Sequence, residues 1–122
     1  MPVEKITLAE KFGKFSEHWT PKIVGELNDS YIKLAKVQGE FVWHHHADED
    51  ELFLVVQGQL TIKLRNQPDL VLGPGELAVI PRGVEHRPVA SEEVHLVLLE
   101  PKATKHTGNV ETDRTVHDLE WI

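Results

Sequence analysis

Residues Gly39–Gly58 read GEFVWHHHADEDELFLVVQG, a histidine triplet and an acidic run set between apolar stretches. In an extended segment successive side chains alternate between faces, so His44 and His46 share one face and His45 takes the other. If the four residues Ala47–Asp50 close a hairpin loop, His46 stands opposite Glu51 with Cβ atoms about 4.5–5.5 Å apart. His44 then faces Phe53. Two imidazoles and a carboxylate would converge, and such N and O donors bind a divalent ion at about 2.0–2.2 Å. A register shifted by one residue would offer Glu49 or Asp50 in place of Glu51. Each half of the pattern also has an ordinary explanation, as solvated histidines and an exposed acidic turn.

A second segment, Gly75–His86 (GELAVIPRGVEH), reads as a strand ending in a Pro-x-Gly turn. Pro81 presets φ and Gly83 tolerates φ > 0, so the chain reverses tightly and delivers His86 to a fixed place. Outward from these segments lie short runs broken by turn residues: Lys22–Leu27, Tyr31–Gln38, Glu40–His46, Glu51–Gln57, Gln59–Arg65, Leu70–Leu72, Glu76–Ile80, His86–Ala90 and Val94–Glu100. Many short strands at near-even spacing predict an all-β sandwich or barrel with its core at about 22–100. Before them, Leu8, Phe12, Phe15 and Trp19 recur on one helical face, so a helix is expected over about 7–19. Thr7 and Glu10 have capping-box spacing, and Pro21 ends the element. After them, 101–122 lacks periodicity and reads as an irregular tail. Thr107–Ile122 is too polar for core, yet Trp121 and Ile122 are apolar enough to dock on the barrel or on a second subunit.

The 122 residues fit one domain, 1–122. Asp and Glu outnumber Lys and Arg by 20 to 13, for a formal charge of −7, which argues against a nucleic-acid partner. The chain has no cysteine, which excludes disulfides, thiolate metal sites and cysteine nucleophiles. No apolar run approaches the ~18 residues of a membrane span, and the first residues carry no signal-peptide pattern. A cytoplasmic location without membrane contact is the resulting expectation.

Taken together, the two segments resemble the cupin family. Its first motif is G(X)5HXH(X)3–4E(X)6G; here Gly39 is followed by four residues rather than five, and His44, His46, Glu51 and Gly58 then fit. Its second is G(X)5PXG(X)2H(X)3N; Gly75, Pro81, Gly83 and His86 fit, and Ala90 stands at the final position. Sixteen residues separate the motifs, as in small single-domain cupins, and the match spans Gly39–Ala90. The resemblance implies a double-stranded β-helix, or jelly-roll barrel. Within it His44, His46, Glu51 and His86 would hold one divalent metal with positions left open, and Gly58, Gly75 and Gly83 would be turn glycines. It also implies a homodimer. Imidazole and carboxylate suit Fe, Mn, Ni, Co, Cu or Zn, and no sulfur donor biases the choice.

On this basis the expected function is that of a metal enzyme of dioxygenase-like or isomerase-like type, acting on a small polar metabolite. Glu51 is the candidate catalytic residue, should it leave the ion. The alternatives are a non-catalytic, metal-dependent module that binds a sugar or carboxylic acid, and a barrel merely stabilised by its ion. Tyr31, Gln38, Phe53, Arg82 and Arg87 are candidate substrate contacts, Arg82 as a clamp for an anion. Phe41 and Trp43 are expected beside His45, between sheets or in a subunit contact. His18, His95, His106 and His117 have no partner spacing and read as ordinary structural or surface histidines.

Overall fold

The structure is a computed structural model and describes residues 2–110, 115 and 118–122. Its order is α1 (Leu8–Phe12), β1 (Lys22–Leu27), β2 (Ser30–Glu40), β3 (Glu51–Gln57), β4 (Leu60–Leu64), β5 (Leu70–Leu72), β6 (Leu77–Ile80), β7 (His86–Pro101) and β8 (Glu120–Trp121). The fold is an all-β jelly roll organised by β7, which pairs along one edge with β2 and along the other first with β4 and then with β3. The remaining pairs are β1 with β2, β5 with β4 and β6 with β3, all antiparallel, while β8 lies parallel to β1.

The 16-residue β7 replaces the two strands expected over His86–Ala90 and Val94–Glu100. Its alternation does not reset between them: His86, Pro88, Ala90, Val94, Leu96, Leu98 and Glu100 are all buried. Only Ser91 and Glu92 are exposed, where the strand passes from β4 to β3. A two-residue solvent excursion that keeps parity does not break a strand. Gly58 packs on this crossing with φ +89°, and a Cβ there would sit 2.8 Å from the Glu93 carbonyl oxygen. Any larger residue would have to displace backbone, so this turn requires glycine.

The main core gathers Ala35, Val37, Phe53, Val55, Leu60, Ile62, Leu96 and Leu98 from the inward faces of β2, β3, β4 and β7. A second cluster lies outside the sheet, where Phe12 and Phe15 cover Val24 and Leu34. Burying each such side chain contributes roughly 1.5–3 kcal/mol, and this docking sustains a helix far too short to stand alone.

The helix is five residues long, not the span 7–19 expected, and Thr7 makes no side-chain cap. Gly13 ends it, a residue that costs about 1 kcal/mol in a helix interior. Beyond it the chain runs along β2, with a single bridge of His18 to Lys36 and the Trp19 N–H donating to the Lys36 carbonyl. Phe15 and Trp19 are buried as expected, but both lie beyond the helix, Trp19 with a left-handed φ of +59°.

The tail also differs from expectation. Thr104, His106 and Thr107 are buried despite their polarity, and the segment folds back onto the end of the barrel. Gly108 explains how close it comes: φ is +60°, and a Cβ there would meet the His45 carbonyl oxygen at 2.3 Å. Asn109 fixes the same contact, its N–H donating to the His45 carbonyl and its Oδ1 accepting from the His45 N–H. Trp121 and Ile122 dock on the barrel, Ile122 against the outer cluster and Trp121 edge-on to Tyr31. No helix among the described residues is long and apolar enough to cross a membrane.

Candidate metal centre

His44 and His86 face each other across a two-way backbone bridge, each N–H donating to the other's carbonyl at 3.0 and 2.8 Å. The segment 41–46 is thereby laced to 83–88, with Phe41 N–H donating to Pro88 O and Gly83 N–H to His46 O. Glu51 opens β3 and is registered against Ile80 of β6. The expected hairpin between His46 and Glu51 is therefore absent, because β3 makes its pairs with β6 and β7. His46 and Glu51 still meet, brought together by separate strands of the barrel. One potential ligand atom from each of His44, His46, Glu51 and His86 lies within 4.8 Å of the others.

All four side chains are buried, at 2%, 4%, 4% and 0% exposure for His44, His46, Glu51 and His86. The Nδ1–H of His44 donates to Val42 O and that of His86 to Val84 O, both at 2.9 Å. A carbonyl can only accept, so the proton is on Nδ1 and the Nε2 lone pairs are free. His46 and His86 Nε2 stand 3.5 and 3.4 Å from Glu51 Oε1. Those separations are long for hydrogen bonds, and both nitrogens and the oxygen lack a partner. Ligand atoms about 2.1 Å from a shared ion sit roughly 3.0–3.4 Å apart at octahedral or tetrahedral angles. Buried donors left unpaired cost free energy, and an ion would satisfy all of them at once. The residues present therefore fit a divalent metal.

Burial opposes the charged form of Glu51, but the Glu100 carboxyl and the His46 and His86 imidazoles outweigh it and hold Glu51 well below the usual carboxylate range. Glu100 is pushed well above that range by burial and then by the charge of Glu51, although Lys33 opposes this. Lys33 Nζ donates to Glu100 Oε1 at 2.8 Å, with both side chains almost wholly buried. Glu100 thus lies between the Lys33 ammonium and Glu51, the place that an outer partner takes behind a metal ligand.

Burial, then the neighbouring His86, lowers the His44 pKa to about 4, so the ring is a neutral donor at pH 7. The folded protein then takes up its proton at a lower pH than the unfolded chain does, and stability present above about pH 6.5 is lost towards pH 4. The shift corresponds to roughly 3 kcal/mol. In metal-free protein, the stability advantage of wild type over His44→Gln should shrink by about that amount between pH 7 and 4, read by urea unfolding. An advantage that does not change with pH would contradict a neutral His44.

The other expected site residues divide. Phe53 borders the cluster and its ring lies 6.1 Å from that of His86. Tyr31 lines a different cavity. Gln38 is exposed, and its carbonyl accepts from Trp19 Nε1. Arg82 is exposed on its turn, and its backbone N–H donates to Asp50. Arg87 is tied to the Phe41 carbonyl and the Glu40 carboxylate. Neither Glu49 nor Asp50 joins the cluster.

Phe41 is buried against Trp19, their rings stacked at 4.5 Å, and stands edge-on to His44, not beside His45. The stretch 41–43 lies outside the regular strands, so strict alternation fails there. Trp43 lies under the Arg65 guanidinium. His18 and His95 both contact Glu93, and His117 lies outside the described residues. Glu100, Lys33 and His106 were not anticipated. His106 stacks on Phe41 at 5.7 Å and borders the cluster. The first two had a visible signal: each carries a charge at an inward position of an alternating strand.

Residues 31–102 match the Cupin_2 family, the cupin domain. A cupin-2 domain containing protein from Shewanella frigidimarina is 49% identical, with a TM-score of 0.77 over 80% of this chain and 94% of that one. The Bacillus subtilis protein YdbB, itself uncharacterised, is 40% identical over 64% of this chain and 63% of its own length. Acireductone dioxygenase 1 of Coprinopsis cinerea is 30% identical over 79% of this chain and 58% of its own. The chain spans about three fifths of the length of these curated relatives.

Proposed function

The chain belongs to the cupin family, and from that premise we propose that it is a mononuclear divalent-metal enzyme of the dioxygenase type, acting on a small polar metabolite. The observation that carries this reading is the set of buried, unpartnered donors on His46, Glu51 and His86 with His44 beside them. His44, His46, Glu51 and His86 would be the ligands. Three imidazoles and one carboxylate would leave positions of an octahedral ion for other molecules. When bound, a transition ion would supply Lewis-acid polarisation of a substrate oxygen or, if redox-active, an electron path to dioxygen. The protein's part is to keep His44 neutral, to orient Glu51 through Glu100 and Lys33, and to line the approach with apolar groups. Phe41, Phe53, Leu96 and Leu98 form that lining. The relative named for acireductone dioxygenation favours oxygenase over isomerase chemistry. A homodimer has support in Val71, Leu77 and Val79, apolar side chains more than half exposed on the short strands β5 and β6.

A second reading, a metal-dependent binding module without turnover, is favoured by one observation. The free space beside the cluster is about 30 Å³, room for about one water. Dioxygen uptake by iron-loaded protein with acireductone, small diols and keto acids separates the two. Substrate-dependent uptake that is lost in Glu51→Gln supports the enzyme. Full metal loading and saturable binding of those compounds without any uptake would select the module instead.

A further inference from the structure

A second cavity, of about 410 Å³, opens where the tail crosses the end of the barrel, and Tyr31, Lys33, Lys102, Thr104, His106 and Trp121 are among its walls. We propose that this cavity binds a small organic carboxylate with a flat apolar body. Lys33 is 1% exposed, and of its three ammonium donors one is matched among the described residues, to Glu100. Thr104 is 6% exposed, 94% buried as a residue, and its buried hydroxyl has no partner among the described residues. Two buried donor groups with spare capacity on one wall call for an acceptor-rich ligand. Lys102 adds positive charge at the same space, and Asp118 is the carboxylate among its described walls. Lys102 is held at the rim by Glu26 and lies 5.3 Å over the Tyr31 ring.

The body of the ligand is set by the other walls. Tyr31 and Trp121 meet edge to face at 5.7 Å, and Trp121 is 52% exposed. Such rings offer large contact area to a planar group, which a bare inorganic oxyanion cannot use. His106 borders both this cavity and the space beside the metal cluster. The two are neighbours, but binding here needs no ion and stands apart from the proposed dioxygenase role.

The test is a ¹⁹F NMR titration of the full chain with 4-fluorobenzoate, as purified and again after chelator dialysis. Saturable binding is expected in both preparations and in His46→Ala. The uncharged 4-fluorobenzamide should bind at least about tenfold more weakly, and Thr104→Val should weaken the benzoate by about tenfold. Trp121→Leu should weaken benzoate and benzamide alike. No saturable binding, binding lost with the metal, or an unchanged affinity in Thr104→Val would each overturn the proposal. So would inorganic phosphate displacing the probe at lower concentration than benzoate does. None of these failures would bear on the metal centre, which His46→Ala tests separately through metal content.

Discussion

His46→Ala is expected to lose the ion: metal content after loading and desalting should fall from about one per chain to near zero. Replacing an outer partner of a ligand typically costs 10–100-fold in affinity, and deleting a ligand should cost at least about a hundredfold. The same loss has a thermodynamic signature. An ion that binds only the folded state stabilises it by about 2.7 kcal/mol at a hundred times its Kd, and the variant should gain almost none of this. Without metal the two proteins should differ much less. Both ring nitrogens of His46 are buried and unpartnered, so alanine removes an unfavourable burial while opening a cavity, and the two effects oppose each other. His45→Ala is the control, since His45 lies outside the cluster and the control should load fully. A His46→Ala protein that still takes up one ion and is stabilised by it would refute the assignment.

The second large effect is expected at Lys33 and Glu100. Replacing Glu100 with leucine removes the acceptor of the buried Lys33 ammonium, since Glu100 is its one hydrogen-bond partner among the described residues. Stranding one member of a buried pair costs about 3–5 kcal/mol, whereas replacing both with apolar groups is often neutral or favourable. For a chain of this size the single variant should melt roughly 10–20 °C lower. Adding Lys33→Met should recover most of that loss. The double variant should still bind metal more weakly than wild type, because Glu51 has lost the partner that orients it. Calorimetry of the two variants against wild type checks this. If the double variant melts as low as Glu100→Leu, the cost lies in packing and not in a stranded charge.

The four-residue cluster was legible because it is written in residue type and spacing. His44, His46, Glu51 and His86 fall at the cupin intervals, and no unusual backbone is needed to recognise them. The route by which they meet was not legible. A hairpin from His46 to Glu51 satisfies local geometry, yet Leu52–Val55 are an apolar run suited to the middle of a sheet, and β3 lies between β6 and β7. Gly13 could have shortened the predicted helix, but the apolar period continues past it on Phe15 and Trp19, which are buried without being helical. The inward charges of Lys33 and Glu100 had a signal in the sequence, since they stand in phase with Ala35 and Val37 and with Leu96 and Leu98, but not their pairing, which the strand register sets. Burial of Thr104, His106 and Thr107 could not be read from polarity. It depends on where the tail crosses the barrel, which Gly108 permits by approaching His45 without a side chain.

Anomalous diffraction at the absorption edge of the loaded ion is the most direct examination of the central claim. One peak per chain is expected, ringed by Nε2 of His44 and His86, a ring nitrogen of His46 and a carboxylate oxygen of Glu51, each at about 2.0–2.2 Å. A fully loaded crystal whose peak lies elsewhere, with those four side chains unliganded, would contradict it.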